Sequence, residues 1–598
     1  MKSKAPSEMM SNLNIIRDNI DKLSKVFPDT VKDGEVDVTS LLHHLGLAND
    51  HDDEELYNFT WKGKKEAIKS TQEPSAGTLR KVKNYGDRNT KNLFIEGDNF
   101  EVIKVLQKSY QEKIKLIYID PPYNTGKDFI YKDNYKDNIK NYLEHTTQKN
   151  KKGKLSSTNI DTTGRYHTNW LNMMYPRLSI SRNLLKADGV IAIHIDEHEY
   201  ANLEKIMNEL YGENNRLGTI VWDKRNPKGD SKGIAYQHES ILLYCKDIHE
   251  FKKKNAFKRV KENAGKIIAK ANELVKTKGL STARKELKVW MRKQDFSGGE
   301  KAYQLIDEKG KVYRPVSMAW PNKKQAPDDY FIPLIHPVTK KACPIPARGW
   351  RNPPATMERL LKDDLILFGA DETTQPNRKY FLEENMYENV SSMIYHGGSD
   401  DAKLKELDVS FDTPKVVDVC KKIIEPTCQP HDIVLDFFAG SATTAHAVLE
   451  LNQSEEKQLN FIMVQIPEPI AKKHEAYKRG YQLISDVGID RINKVQQKIR
   501  EEDPENANKM DLGFAVFKLD SSNIKSWIQN EDNSISITPQ HLNEHCTEKD
   551  IIYEVLLKYG LDLTLPIKEE TIKGEKVFNV GDGLLLIYFN ADLKPIKE

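Results

Sequence analysis

The strongest constraint on this chain is a rhythm that starts, stops and starts again. From Asn92, short apolar runs alternate with stretches of helical periodicity. "NLFIEGD" is stopped by Gly97-Asp98, "NFEVIKVLQKSY" is helical, and "KIKLIYID" is stopped by Pro121-Pro122. The helical "WLNMMYPRLSISRNLLK", the strand "VIAIHID", the helix "EHEYANLEKIMNELYG" and the runs "LGTIVWD" and "ESILLYCKD" follow. Strands alternating with helices in this way specify an α/β fold with a mainly parallel sheet. The rhythm breaks near Asp247 and resumes at Thr413, with "PKVVDVCKKIIEPTC", the strand "DIVLDFFAG", the helix "SATTAHAVLELN" and the strand "NFIMVQIP". One fold is therefore split around about 165 residues.

The interruption has its own character. Residues 252–293 read as a basic helical stretch, with fifteen Lys/Arg against three acids and a net charge of +12. Short strands, turns and Pro-rich loops follow to about Tyr380. Before the first half, Leu13–Phe27 carries apolar residues at helical spacing, and Gln72–Thr90, rich in Ser, Gly, Lys and Asn, reads as a linker. After the second half, "FAVFKL", "IIYEVLLKYGL" and "GLLLIYF" suggest a further folded segment. The expected division is a helical segment at 1–75, a first half at 76–247, an insert at 248–405, a second half at 406–510 and a C-terminal module at 511–598. No internal repeat is evident.

Whole-chain properties exclude more than they assign. No run of about 20 apolar residues exists, so no membrane-spanning helix is expected. Met1–Asn12 lacks the apolar core of a secretory signal. Five scattered cysteines do not make a disulfide scaffold, and the sixteen histidines show no H-E-x-x-H or paired metal spacing, so no protein-bound metal is expected and the compartment should be cytoplasmic. The net charge of +2 by itself speaks against a nucleic-acid binder.

Two motifs carry chemistry. Asp120-Pro121-Pro122-Tyr123 directly follows an apolar strand. Ligands of open α/β sheets bind beyond the C-terminal ends of strands. Two prolines stiffen the turn and donate no N–H. A carboxylate, a proline carbonyl and an aromatic ring then face one cleft, a set able to accept the hydrogens of an exocyclic amine and to stack its ring. In isolation the tetrapeptide is also an ordinary loop. The second motif is Asp436-Phe437-Phe438-Ala439-Gly440-Ser441-Ala442-Thr443-Thr444, between a strand and a helix. A glycine turn lets backbone approach a ligand, and a helix N-terminus favours anionic groups. It lacks the phosphate-loop lysine and is not G-x-G-x-x-G. Alone, it could equally be a plain βα turn.

Together the motifs resemble the amino-methyltransferases of DNA, in the beta-class order with the catalytic motif ahead of the cofactor loop. The stretches "NLFIEGDNFEVIKVLQKSY", "IYIDPPYNTGKDFIYKD", "GRYHTNWLNMMYPRLSISRNLL", "HESILLY" and "IVLDFFAGSATTAHAVLELN" together resemble the modification (Mod) subunits of type III restriction-modification systems. The resemblance implies a Rossmann-like methyltransferase fold with circularly permuted motif order, S-adenosylmethionine as cofactor, and adenine N6 of double-stranded DNA as target. Asp120 and the Pro121 carbonyl would hold the amine, with Pro122 completing the turn, and Tyr123 would stack on the flipped base. Asp98 would sit near the cofactor adenine. Asp436 opens the cofactor loop, Phe438, Gly440 and Ser441 would line it, and Thr443 and Thr444 would help hold the cofactor carboxylate. Glu468 is either a ribose ligand or a solvated loop acid. The insert would be a target-recognition domain, and the C-terminal module would serve homodimerisation or docking of the restriction (Res) subunit.

The sequence departs from the family pattern twice. Phe437 replaces a proline, and Ala442 replaces the second loop glycine, where an alanine requires negative φ and a methyl that clears the ligand. Asp at 120 favours adenine N6 over cytosine N4, whose enzymes usually carry Ser there. Cytosine-N4 methylation, a DNA-specificity subunit with weak or lost catalysis, and methylation of a protein or small molecule remain as alternatives.

Overall fold

The structure is a computed structural model. It describes residues 20, 23–32, 35–46, 59–87, 89–125, 166–225, 234–254, 257–412, 414–455, 457–524, 528–529, 535–536, 546–572 and 574–589. Most of the expected helix at Leu13–Phe27, and the stretch after Thr125 up to Arg165, lie outside these residues. The chain divides into two compact units, one of Met1–Ala256 with Ser391–Glu598 and one of Phe257–Val390. The second unit is narrower than the 248–405 stretch read from the sequence.

The first unit is built on a ten-stranded sheet. In chain order its strands are β1 (Gly77–Tyr85), β2 (Leu93–Glu96), β3 (Ile114–Ile119), β4 (Leu185–Ile195), β5 (Arg216–Asp223), β6 (His238–Cys245), β7 (Met393–Tyr395), β8 (Ile433–Asp436), β9 (Asn460–Gln465) and β10 (Phe514–Ser521). Across the sheet the order is β7-β5-β6-β4-β3-β8-β9-β2-β10-β1. The six strands from β4 to β10 run parallel, and antiparallel strands lie toward both edges. Strands β3 and β9 are buried along their whole length, as a sheet covered on both faces requires. The mainly parallel α/β fold expected from the sequence is present.

The two halves of the rhythm interleave. Strands β8 and β9, from the second half, lie between β3 and β2 of the first. Leu435 pairs with Ile117 of β3, Asp436 with Met463 of β9, and Gln465 with Glu96 of β2. Four strands with parallel neighbours thus bring their carboxyl ends, and the motifs after them, to one edge.

The covering helices follow from apolar spacing. Helix α1 (Asn99–Tyr110) buries Phe100, Val102, Ile103 and Leu106, and α2 (Tyr166–Ser181) buries Trp170, Met173, Met174 and Leu178. Helices α3 (Tyr200–Tyr211), α4 (Val417–Thr427), α5 (Thr443–Glu455) and α6 (Ile484–Glu502) complete the layers. Residues 72–90 need correction: Gly77–Tyr85 is strand β1, at the sheet edge, paired with β10 from Gly77↔Ser521 to Tyr85↔Phe514. Its lysines and arginine suppressed the apolar signal, and such charges suit an edge strand. The C-terminal segment is also shared. Strand β10 belongs to the main sheet, and helix α7 (Glu548–Tyr559) packs Ile552, Tyr553, Leu556 and Leu557 into the same core.

The second unit holds a helix at Ala264–Lys293, bent where Gly279 takes φ 75°, against a four-stranded antiparallel sheet. Ala264, Ile267, Ala271, Leu274, Ala283, Leu287 and Met291 face its core, while Lys266, Lys276, Lys278, Lys285, Lys288, Arg292 and Lys293 are exposed. The expected basic helix is present from Ala264.

Candidate active site

Strand β3 delivers the D-P-P-Y turn. The Pro122 carbonyl accepts a hydrogen bond from Trp170 Nε1 at 2.7 Å, which ties the turn to α2. Among the described residues no donor engages the Pro121 carbonyl. Asn124 takes φ 64°, and its amide donates to Glu199 Oε1 at 2.5 Å. The turn is therefore held from behind at Pro122 and Asn124, while Asp120, Pro121 and Tyr123 keep their functional groups toward the strand ends.

A lysine sits among them that the sequence reading did not single out. Lys415, just before α4, places its ammonium 3.2 Å from Asp120 Oδ1, 2.7 Å from Glu239 Oε2 and 2.5 Å from the Tyr123 hydroxyl oxygen. It also lies 4.7 Å from the Tyr123 ring centroid. Glu239, on β6, accepts from the Tyr123 hydroxyl at 3.2 Å and is paired with Lys224. Burial raises the Asp120 carboxyl above its usual range; Lys415 pulls against this and Glu239 adds to it. Burial also opposes ionisation of Glu239, but Lys415 and Lys224 outweigh it and hold that carboxyl down at about 2. Tyr123 is pushed well up, by burial and then by Asp120 and Glu239, so its hydroxyl stays protonated. Behind Glu239, burial keeps His194 neutral.

The expected cofactor loop leaves the neighbouring strand β8. Asp436 is buried and folds the loop: its carboxylate accepts from the Phe438 N–H at 2.9 Å and from the Thr444 hydroxyl at 2.6 Å. Burial lifts its pKa to about 7 in spite of these bonds. The Gly440 N–H donates to Gln465 Oε1 at 2.7 Å, which fastens the turn to the end of β9. Arg491, fully buried on α6, donates to Ser441 Oγ at 3.0 Å and Thr443 Oγ1 at 2.8 Å. The hydroxyls of Ser441, Thr443 and Thr444 are thus engaged within the protein and shape the loop.

Ala442 corrects an expectation. Its φ is +59°, not negative, and its side chain is fully buried. The left-handed conformation costs an alanine roughly 1–2 kcal/mol. Room for its methyl comes from Gly488 on α6, where an added Cβ would stand 3.5 Å from the Ala442 Cβ and 3.2 Å from the Gly440 carbonyl oxygen. Gly440 itself has φ 52°, and an added Cβ there would meet only the Phe438 carbonyl oxygen, at 4.0 Å. The loop is open at Gly440 and closed at Ala442.

The remaining site residues, Asp98 and Glu468, follow β2 and β9. Asp98 caps α1 by accepting from the Glu101 N–H at 3.1 Å, and lies 3.4 Å from Arg177. Buried Arg177 also donates to Asn99 Oδ1 at 2.5 Å, and Asn99 donates to the Phe437 carbonyl at 2.7 Å, linking α2, α1 and the cofactor loop. Glu468 follows β9; no described residue bonds its carboxylate, and burial raises its pKa. Asp196, Glu197 and His198 bring ligand atoms within 4.8 Å of one another at the end of β4, a cluster of consecutive residues outside the D-P-P-Y turn and the cofactor loop.

Lys415, Glu239, Gln465, Arg491, Trp170 and Arg177 escaped the sequence reading as functional residues. Glu239 stands in "HESILLY", a stretch recognised for its resemblance without a role for its acid. Trp170 and Arg177 stand in "GRYHTNWLNMMYPRLSISRNLL", recognised in the same way, while Lys415 and Gln465 lie in stretches that register only as a helix and a strand.

A sheet with permuted halves, an acidic D-P-P-Y turn and a glycine loop on adjacent strand ends define a class. The sequence model of the DNA methylase family, N6_N4_Mtase, matches residues 114–478. The chain belongs to this family, in the group of type III modification subunits. It is 33% identical to the type III restriction-modification enzyme EcoP15I Mod subunit of Escherichia coli, over 91% of this chain and 84% of that one. It is 30% identical to the EcoPI Mod subunit of Escherichia phage P1 over the same shares. Among solved structures, the M1.HpyAVI–SAM complex matches at 12% identity and TM-score 0.26, covering 67% of this chain and 98% of that chain. The enzyme is an S-adenosylmethionine-dependent DNA methyltransferase, as the motifs led one to expect. Among the described residues no helix is long and apolar enough to cross a membrane.

Proposed function

We propose that this chain methylates adenine N6 in double-stranded DNA, with Asp120, Pro121, Pro122 and Tyr123 as the seat of the target base and the loop from Asp436 to Thr444 as the cofactor site. The observation that carries this reading is the adjacency of β3 and β8, which puts the amine-accepting turn beside the glycine loop.

The residues present suit S-adenosylmethionine. The backbone at Gly440 is open, Phe438 packs beside it against Phe437, and the Glu468 carboxylate, which no described residue bonds, can accept from ribose hydroxyls. Asp98 would hold the adenine end. Ser441, Thr443 and Thr444 act by fixing the loop, and Asp436 by folding it. The bound cofactor supplies a sulfonium-activated methyl group.

The chain's own residues supply position. The lone pair of adenine N6 is delocalised into the ring, so the amine is a poor nucleophile. Asp120 and the Pro121 carbonyl accept its two hydrogens and raise its charge density. Tyr123 stacks on the everted ring, offsetting part of the few kcal/mol that flipping costs. Alignment provides much of the acceleration. Asp120 need not remove a proton beforehand, because the proton can leave after methyl transfer.

The insert would read the site, its basic helix contacting phosphates and other side chains the bases. The relatives are named as subunits of restriction-modification enzymes, which supports a restriction (Res) partner; the C-terminal segment would serve its docking or homodimerisation. Asp120→Ala is expected to abolish transfer of labelled methyl to DNA while leaving DNA affinity within about threefold of the parent. Nucleoside analysis of the product should show N6-methyladenine. Near-normal turnover in the mutant, or N4-methylcytosine in the product, would overturn the assignment.

A further inference from the structure

The Lys415 ammonium has three N–H donors, and three acceptors surround it: Asp120, Glu239 and the Tyr123 hydroxyl. Two of these belong to the proposed seat of the target base. A carboxylate oxygen that must accept from an incoming amine is already taken by a cation. The contact to Asp120, at 3.2 Å, is longer than the contact to Glu239, at 2.7 Å. Glu239 is anchored independently by Lys224 and sits on β6, a separate strand from which it also accepts the Tyr123 hydroxyl. The Lys415 side chain is only 15% exposed, so water replaces few of these contacts.

We propose that Lys415 is a stand-in for the target base. In the DNA-free enzyme its ammonium fills the amine position at Asp120. When an adenine is everted into the site, the lysine gives up Asp120 and rests on Glu239. Lys415 is thus a positioning residue with two effects. It keeps Asp120 ionised before the base arrives, and it must be displaced for the base to bind. The inference rests on the assignment of Asp120 and Tyr123 made above.

The charged and titratable groups around Asp120 are Lys415, Glu239, Tyr123, Tyr118 and Asp436, with Lys224 and His194 behind Glu239. Lys415 is the cation in direct contact. Burial already favours the protonated acid, so losing this cation should let Asp120 protonate at higher pH, and a protonated Asp120 accepts the amine poorly.

The test uses full-length enzyme and duplexes carrying the site mapped by methylome sequencing. Single-turnover methyl transfer in Lys415→Met should show its acid limb about one pH unit higher than the parent, with Lys415→Arg restoring it. An acid limb that stays in place overturns the proposal. The second measurement compares duplexes with adenine or with purine, which lacks the amine, at the target position. At pH 8 the preference for adenine in binding should rise about threefold in Lys415→Met. It should fall in Glu239→Gln, where the lysine has lost its resting place. A shift in the same direction in both variants, or in neither, also overturns the proposal. Asp120→Ala separates the two levels: if it still methylates, the seat itself is misassigned; if it is inactive while the Lys415→Met limb stays put, only the stand-in role fails.

Discussion

Asp436 shows how far one residue can be read from its neighbours in sequence. Its place after a buried strand marked it as the start of a loop. What it does there depends on Phe438 and Thr444, whose donors it collects. Its pKa of about 7 is raised above the unfolded value, so the protonated form is favoured by folding. For an acid shifted this way, stability is lost as pH rises from the unfolded pKa toward the folded one. Asp436→Asn keeps an acceptor for the Phe438 N–H and an amide that can donate to Thr444. It should therefore bind S-adenosylmethionine within a few-fold of the parent. Its melting temperature relative to the parent should increase between pH 5 and pH 8; a difference that is flat or falls with pH would show that Asp436 is ionised without penalty. Asp120 and Tyr123 were legible because strand, prolines and aromatic are contiguous. Lys415 and Glu239 were not, because they lie 176 residues apart and meet only when the sheet closes.

At the scale of elements, the proposed cofactor loop is set by three supports that come from different parts of the chain: β9 through Gln465, α6 through Arg491 and Gly488, and α1 through Asn99. Sequence periodicity identified these elements and their order, since helices and parallel strands carry strong apolar patterns. It could not show which faces meet. It also missed β1, because Lys or Arg fills three of its nine positions, against one of six in central strand β3. Gly488 is the tightest of the supports, 3.2 Å being the space left for a Cβ against the Gly440 carbonyl. Gly488→Val should push the loop and weaken S-adenosylmethionine binding by more than tenfold in calorimetry. Affinity within twofold of the parent would show that α6 yields instead.

For the whole molecule, the near-zero net charge proved a poor guide, because charge is unevenly placed. The basic stretch is concentrated in one compact unit, and its helix exposes lysines on the face opposite its apolar stripe. If this face meets phosphates, each lost contact lowers the slope of log affinity against log salt by about 0.9. Replacing Lys266, Lys276, Lys285 and Lys288 by Gln should therefore reduce the slope by about 2 to 4 in fluorescence anisotropy, with cofactor affinity unchanged. An unaltered slope would assign the helix to another role. The interleaved sheet also has a consequence in time. Strands β2 and β3 leave the ribosome more than three hundred residues before β8 and β9, which belong between them. At about 5–20 residues per second, the growing chain waits roughly 15–60 s with β3 paired only to β4 and the facing edges of β2 and β3 unpaired. The D-P-P-Y turn and the glycine loop come together only once the second half has been made, so a truncated chain ending inside the insert would carry the proposed target-base turn and no means to use it.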